Sequence, residues 1–419
     1  MIKRLKKWVL FLFFSALAHF AVAQNPDVEI AKRVADYVIE NAGFSFIDQS
    51  DGTVYKSSEG LPVKKDIKIE SQYNYWQYPN GVIHLAMMEL YEFTKDSKYR
   101  DFPISNYNFF FKNIPYLQKM YDAGYHGWDF YLFFRRFKLD DCGALAAGLI
   151  DVYQYDSRPE YLEYIEMTEH MAMVERYRLD DGTWAKKNPY ESTIWLDDLF
   201  MGVPFLAKLG TMTGEWKYYD FAVKQVVQFD NYLYEPRNGL YYHNYYTDLN
   251  RPGLAHWGRA NGWGLLAKVL LLEYLPEDHP DRQIILNLYD KQVLGLTRHQ
   301  SQTGLWHQLL DKNDSYLETS CSAMFTYAIA KGVNEGWLDY RYYRVALEGW
   351  KGLQTKIDEQ GAILDVCEQT PTSDDLVFYY NKPAPFNEFH GTGAIIFAGI
   401  EMAKLKEQRR MIQNRNKTN

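Results

Sequence analysis

Along most of the chain, apolar residues recur at intervals of three and four, the spacing of one buried helix face. The pattern predicts helices over 27–41, 80–94, 97–113, 140–155, 157–173, 196–212, 215–230, 260–275, 279–295, 317–332, 338–354 and 391–408. Short and long connections alternate between them. Lys95-Asp96-Ser97, Asp156-Ser157-Arg158-Pro159, Thr213-Gly214-Glu215 and Pro276-Glu277-Asp278 are brief turns, whereas the other connections are long and aromatic. The brief turns also resemble one another. Thr94 to Phe102 aligns with Thr213 to Phe221, and Asp156 to Tyr164 is a weaker copy. The aligned tyrosines Tyr99, Tyr161 and Tyr218 mark a period of about 60 residues, a helical hairpin plus one long loop. Six such units account for the chain, and six hairpins can close into a ring. The expected fold is therefore all-α, an (α/α)6 barrel with short turns on one face and long loops on the other. Loops on a rigid scaffold carry function, so a site is expected on the long-loop face. An open helical solenoid shares most of these signals, but no terminal capping repeats stand out and no linker divides the chain.

Composition adds a substrate class. The chain is 47% hydrophobic, which excludes a disordered protein, and 17% aromatic, which exceeds what packing requires. Sugar clefts use such rings, because flat sugar faces stack on them while hydroxyls meet polar tips. Met1 to Ala23 reads as a secretory signal: Lys3, Arg4, Lys6 and Lys7, then an apolar stretch, then Ala21-Val22-Ala23 as the cleavage site. The expected organisation is a signal over 1–23 and one catalytic domain over 24–419, periplasmic or secreted. No stable membrane insertion is expected after cleavage. Four of the 46 basic residues fall in the signal and none of the 54 acids, which takes the formal charge from −8 to −12. That balance argues against a nucleic-acid partner. Cys142, Cys321 and Cys367 read as small buried residues, with one disulfide permitted by export but no pair selected by sequence. A monomer is expected.

Two acidic pairs open inner helices, Asp140-Asp141 and Asp197-Asp198. Adjacent acids at a helix start also serve as caps and favour the positive dipole end. Each pair, however, follows a long loop and lies among Trp, Phe, Met and Gly. Two carboxylates in an aromatic cleft are the equipment of acid–base chemistry on sugars. A second cluster runs His256-Trp257-Gly258-Arg259-Ala260-Asn261-Gly262-Trp263, combining stacking rings with a guanidinium. His243 lies in the aromatic run just before it, and Tyr78 in Trp76-Gln77-Tyr78-Pro79-Asn80-Gly81. No GxSxG, P-loop, HExxH or Cys/His zinc spacing is present, so no cofactor and no metal are expected.

The ordered set WxYPNG at Trp76, LDDCGA at Leu139, WLDDLFMG at Trp195, HWGRANGW at His256 and TGLWHQ at Thr303 resembles glycoside hydrolase family 105, the unsaturated rhamnogalacturonyl hydrolases. Family 88, the unsaturated glucuronyl hydrolases, is a more distant likeness. The match runs from roughly residue 70 to 400. It implies an (α/α)6 barrel and an unusual hydrolysis. The substrate is a lyase-generated oligosaccharide ending in a uronic acid with a C4=C5 double bond, and the enzyme hydrates that vinyl ether. By resemblance Asp197 is the main acid/base and Asp141 the second carboxylate, with Asp140 the alternative. His243, Trp257, Arg259 and Trp263 fall where family members contact the uronate, and Tyr78 joins the candidate binding residues. One departure concerns the released sugar. Many members carry a His in the loop before WLDD, whereas here the loop reads Gly182-Thr183-Trp184-Ala185-Lys186-Lys187-Asn188-Pro189. Lys186 or Lys187 would suit a different or anionic partner sugar. The competing readings are a hydrolase of another unsaturated uronide, an ordinary inverting glycosidase or lyase on this fold, and a non-catalytic sugar-binding protein.

Overall fold

In the computed structural model, residues 25–187 and 192–418 are described. The expected signal over 1–23 lies outside them, as do Asn188 and Pro189 of the loop before WLDD. Among the described residues twelve long helices follow the sequence pattern: α1 (Pro26–Asn41), α2 (Tyr78–Thr94), α3 (Ser97–Asp122), α4 (Gly143–Tyr153), α5 (Pro159–His170), α6 (Asp197–Thr213), α7 (Trp216–Leu233), α8 (Gly258–Tyr274), α9 (Arg282–Thr297), α10 (Thr319–Asn334), α11 (Tyr343–Gln354) and α12 (Thr392–Thr418).

The even-numbered helices form the inner ring. Each packs on the next, and α12 closes the circle by packing on both α10 and α2. The odd-numbered helices lie outside, with α1 backing α12. Burial follows from this placement. On α3 the buried residues Tyr99, Phe102, Asn106, Phe110, Asn113 and Leu117 mark one stripe. On α10 every residue from Thr319 to Val333 is buried, as a helix enclosed on all sides requires.

Ring closure demands close backbones. A Cβ at Gly143 would lie 1.6 Å from the Met201 carbonyl oxygen, so α4 and α6 meet there at backbone contact. The same crowding ends the preceding turn. Helix was expected from residue 140, but Leu139–Asp141 is a 3-10 turn, Cys142 breaks from it, and α4 begins at Gly143. At the other end α3 runs past the expected residue 113 to Asp122, with Pro115 accommodated inside.

The repeated brief turn has a common geometry. Lys95 ends α2 and Gly214 ends α6, both in the left-handed conformation with φ of 60° and 74°. Gly adopts it freely and Lys does not. The long loops carry short strands that the all-α expectation did not include. Thr193–Trp195 pairs with Asn244–Tyr246, which pairs in turn with Arg251–Pro252, and Trp306–His307 pairs with Leu317–Glu318. Loops packed over a ring must satisfy their backbone groups, and short ladders do so.

At the closing seam Lys404 of α12 bridges Glu401 at 2.7 Å and Glu89 of α2 at 3.2 Å. Burial pushes the Glu89 carboxyl from its ordinary 4.5 up to about 7, against the pull of Lys404 and Lys331. The folded chain therefore holds a proton that the unfolded chain releases between those two values. Stability declines as pH rises through that window. Urea unfolding at steps from pH 4.5 to 8 should show this decline in the wild type and a flatter profile in Glu89→Gln. Separately, Lys95→Gly should raise stability by about 1 kcal/mol by relieving the left-handed strain, read as a higher urea midpoint.

Candidate active site

The inner helices run the same way, so their N-termini gather at one mouth, under the long loops. There a cavity of about 260 Å³ is lined by Tyr78, Trp128, Asp140, Lys186, Trp195, Asp197 and Trp257, with Gln369, Thr370 and Pro371 closing one wall. A larger cavity of about 370 Å³ lies at the opposite mouth, among Glu89, Asp151, Lys208, Glu273, Lys331 and Lys404. It lacks a Trp and lies away from every motif named above. The smaller cavity is the candidate site because it joins two carboxylates to a set of indole rings.

Local pairing builds the first carboxylate's surroundings. Lys186 exchanges backbone hydrogen bonds with Thr193 at 2.7 and 2.9 Å, which lays the Lys186 segment beside Trp195. On the other side Trp195 lies opposite Asn244, and the Leu196 N–H donates to the His243 carbonyl at 3.0 Å. His243 thus arrives beside Asp197, the first residue of α6. Its Nε2 lies 3.1 Å from Asp197 Oδ2 and its Nδ1 lies 2.8 Å from the Tyr379 hydroxyl. Its ring centre is 4.7 Å from that of Trp257 and 5.9 Å from that of Trp195. Neither Asp197 Oδ2 nor His243 Nε2 meets full hydrogen-bond geometry among the described residues.

The second carboxylate is Asp140. Lys186 donates to its Oδ2 at 3.0 Å, lies 3.0 Å from Asp198 Oδ1, and stands over the Trp195 ring at 4.2 Å. Asp198 is fully buried and also takes a hydrogen bond from Arg176 at 2.8 Å. Burial alone would raise the Asp140 carboxyl, but the cations Lys186, Lys138 and Arg176 hold it below its ordinary value. Asp140 is therefore ionised at neutral pH, beside an ammonium that is itself fixed.

Three of the sequence expectations are placed differently. Asp141 does not reach the cavity. It is fully buried, Arg135 donates to both its oxygens, one at 3.0 Å, and the N–H groups of Phe137 and Lys138 donate to it at 3.2 Å. It is the internal anchor of the 3-10 turn, and Asp140 is the neighbour that faces the cleft. Arg259 is fully buried too. Its guanidinium donates to the carbonyls of Cys367 and Glu368, the latter at 2.6 Å, beside the Trp257 ring. It holds the loop that carries Gln369, Thr370 and Pro371 rather than presenting itself to a sugar. Trp263 is buried behind the wall, with Phe200 at 4.6 Å and Tyr78 edge-on at 5.9 Å. Asp197, Tyr78 and Trp257 line the cleft, and His243 lies fully buried behind it, beside Asp197 and Trp257. Lys186, weighed for a partner sugar, instead holds the two acidic pairs together.

Sequence reasoning missed Trp128, Arg135, Lys138 and the wall from Gln369 to Pro371. The aromatic and basic run from Trp128 to Lys138, just before the first acidic pair, was the available signal. The wall from 369 to 371 carried none. The three cysteines are free and buried, so no disulfide forms among them. Among the described residues no group of His, Cys, Asp or Glu could hold a metal, and no helix is long and apolar enough to cross a membrane.

A ring of helical hairpins with a carboxylate pair in an indole-lined mouth defines a carbohydrate-active enzyme of the (α/α)6 class. The chain belongs to Glycosyl Hydrolase Family 88, whose family model matches residues 47–406, and it is a glycosidase. It is 26% identical over 340 residues to the unsaturated rhamnogalacturonyl hydrolase YesR of Bacillus subtilis, across 81% of this chain and 92% of that protein. It is 28% identical over 318 residues to an unsaturated 3S-rhamnoglycuronyl hydrolase of Formosa agariphila, across 71% and 80%. Among solved structures, a possible GH105 member from Klebsiella pneumoniae superposes with a TM-score of 0.72 at 24% identity, covering 92% of this chain and 94% of that one. The unsaturated glucuronyl hydrolase of Bacillus sp. GL1 gives 0.62 at 17% identity, covering 91% and 96%. These two likenesses show the (α/α)6 fold.

The two neighbouring acids should separate by experiment. Asp140→Asn should lower kcat by about 100-fold or more while thermal unfolding stays near wild type. Asp141→Asn should instead lower stability by about 2–4 kcal/mol, because a buried guanidinium loses its counter-charge. Reversed results would reject the placement.

Proposed function

We propose that this chain hydrolyses oligosaccharides ending in a Δ4,5-unsaturated uronic acid, releasing that residue by hydration of the C4=C5 vinyl ether. The observation that carries the proposal is the pairing of Asp197 with His243 across from an ionised Asp140, in a cleft walled by Tyr78, Trp195 and Trp257. The names of the rhamnogalacturonyl and 3S-rhamnoglycuronyl relatives support the substrate class.

Asp197 gives its proton to C4, and positive charge develops at C5 and the ring oxygen. Asp140 is placed to stabilise that charge. The Asp197 carboxylate then takes a proton from the water that adds at C5, so one group serves as acid and as base. The resulting hemiketal opens to a C5 ketone, and the hemiacetal left at C1 expels the neighbouring sugar. Trp257 and Tyr78 give the flat unsaturated ring its surfaces. The anionic sugar meets the N-terminal ends of the inner helices, whose free N–H groups favour negative charge. The basic and apolar run before Ala23 supports export of one catalytic domain over 24–419 to the periplasm or medium.

The test is a panel of lyase-generated pectin, glycosaminoglycan and ulvan fragments, followed by loss of the double bond's ultraviolet absorbance. At least one should be consumed, and Asp197→Asn should lower that rate by about 1,000-fold with folding intact. Turnover of saturated glycosides with no preference for the alkene would reject the proposal. So would near-normal activity of Asp197→Asn.

A further inference from the structure

Tyr379 plays no part in the sequence motifs, yet it is fully buried against the catalytic group. It lies on a one-turn helix, Leu376–Tyr380, in the loop between α11 and α12. Its hydroxyl oxygen has two neighbours. The Ser373 N–H donates to it at 3.0 Å, and His243 Nδ1 lies at 2.8 Å.

The proton count fixes the direction of the second contact. A backbone N–H can only donate, so it occupies a lone pair of the phenol oxygen. Burial, with the Asp197 carboxylate adding to it, pushes the Tyr379 phenol well above its ordinary value, so it keeps its own proton. That proton has one acceptor within reach among the described residues, His243 Nδ1. With Nδ1 accepting, the imidazole carries its hydrogen on Nε2, which faces Asp197 Oδ2 at 3.1 Å. Were Nδ1 protonated instead, the phenol oxygen would accept twice and its own hydrogen would find no acceptor among the described residues.

We infer that Tyr379 is a positioning residue for the reaction, and that it holds His243 in the Nε2–H tautomer. This rests on the acid/base role proposed for Asp197. The chain runs from Ser373 N–H through the Tyr379 hydroxyl and the imidazole to Asp197. Its consequence is specific to one atom. The Nε2–H turns its positive end toward Oδ2 at 3.1 Å, short of full hydrogen-bond geometry, which disfavours a proton on Oδ2 and assigns the transferable proton of Asp197 to Oδ1. Tyr379 thereby decides which carboxylate oxygen does the chemistry without touching the sugar. The same loop carries Thr370 and Pro371 on the cavity wall and is tied down by Arg259 at Cys367 and Glu368. One segment thus shapes the sugar pocket and orients the acid.

Tyr379→Phe keeps the ring and removes the donor. Full-length protein labelled with 15N-histidine, with His243 assigned by its loss in His243→Gln, reports the tautomer directly. The wild type should show Nδ1 as the unprotonated nitrogen and Nε2 as the protonated one. In Tyr379→Phe the two nitrogens should average toward each other, and kcat should fall about tenfold or more with KM little changed. Protonated Nδ1 in the wild type would overturn the inference even if the variant failed to fold. An unchanged tautomer or unchanged kcat in a folded variant would overturn it as well. The tautomer readout does not depend on turnover, so loss of the Asp197 assignment and loss of this inference are separable results.

Discussion

Six helices can surround an axis only if neighbours touch along their length, and the inner ring does so at backbone distance. Gly143 shows how tight the fit is, since any side chain there would occupy the Met201 carbonyl. Because each inner helix returns through an outer one, all six inner helices point the same way. Their N-termini therefore collect at one mouth and their C-termini at the other. The long connections that lead into the inner helices must cross the N-terminal mouth, which places the aromatic loops there. The location of the site is thus a consequence of ring closure, and the close backbone contacts are what permit closure.

That geometry also reconciles an acidic chain with an anionic substrate. The charge near the cleft is arranged in layers. Asp198 and Asp141 are spent internally on Arg176, Lys186 and Arg135. Asp140 shares Lys186 with Asp198, which keeps it charged in a place where burial alone would neutralise it. Asp197 has an imidazole for a neighbour instead of an ammonium. Two carboxylates at one mouth are given different partners, which is how a pair of identical groups is assigned different tasks. Arg259 of the sequence motifs and Arg135, which lies outside them, are committed to holding backbone carbonyls and a buried carboxylate, so their contribution is shape.

Much of the ring was legible in the sequence. All twelve expected helices occur, and most ends fall within about three residues of expectation, because each is fixed by local apolar spacing and by breakers such as Gly214. The resemblance carried the class of chemistry, and three of the candidate residues, Asp197, Tyr78 and Trp257, line one cavity, with His243 buried beside Asp197. The errors share a cause. Asp140 and Asp141 are adjacent and chemically identical, and a 3-10 turn decides which one faces the cavity. Arg259 sits in the most specific motif, yet carbonyls 108 and 109 residues away claim its guanidinium.

What the sequence determined by itself, then, was the periodic part: helices, their pairing into repeats, the face on which function would lie, and the residue types available there. These depend on contacts within a few residues, which spacing records. The direction of each side chain was decided only in the tertiary structure. Lys186 meets Asp140 across 46 residues, and His243 meets Tyr379 across 136. Such partners are chosen by ring closure and loop crossing, through distances that no local pattern encodes. Whether a charged group at the mouth acts on a sugar or holds a wall depends on those partners.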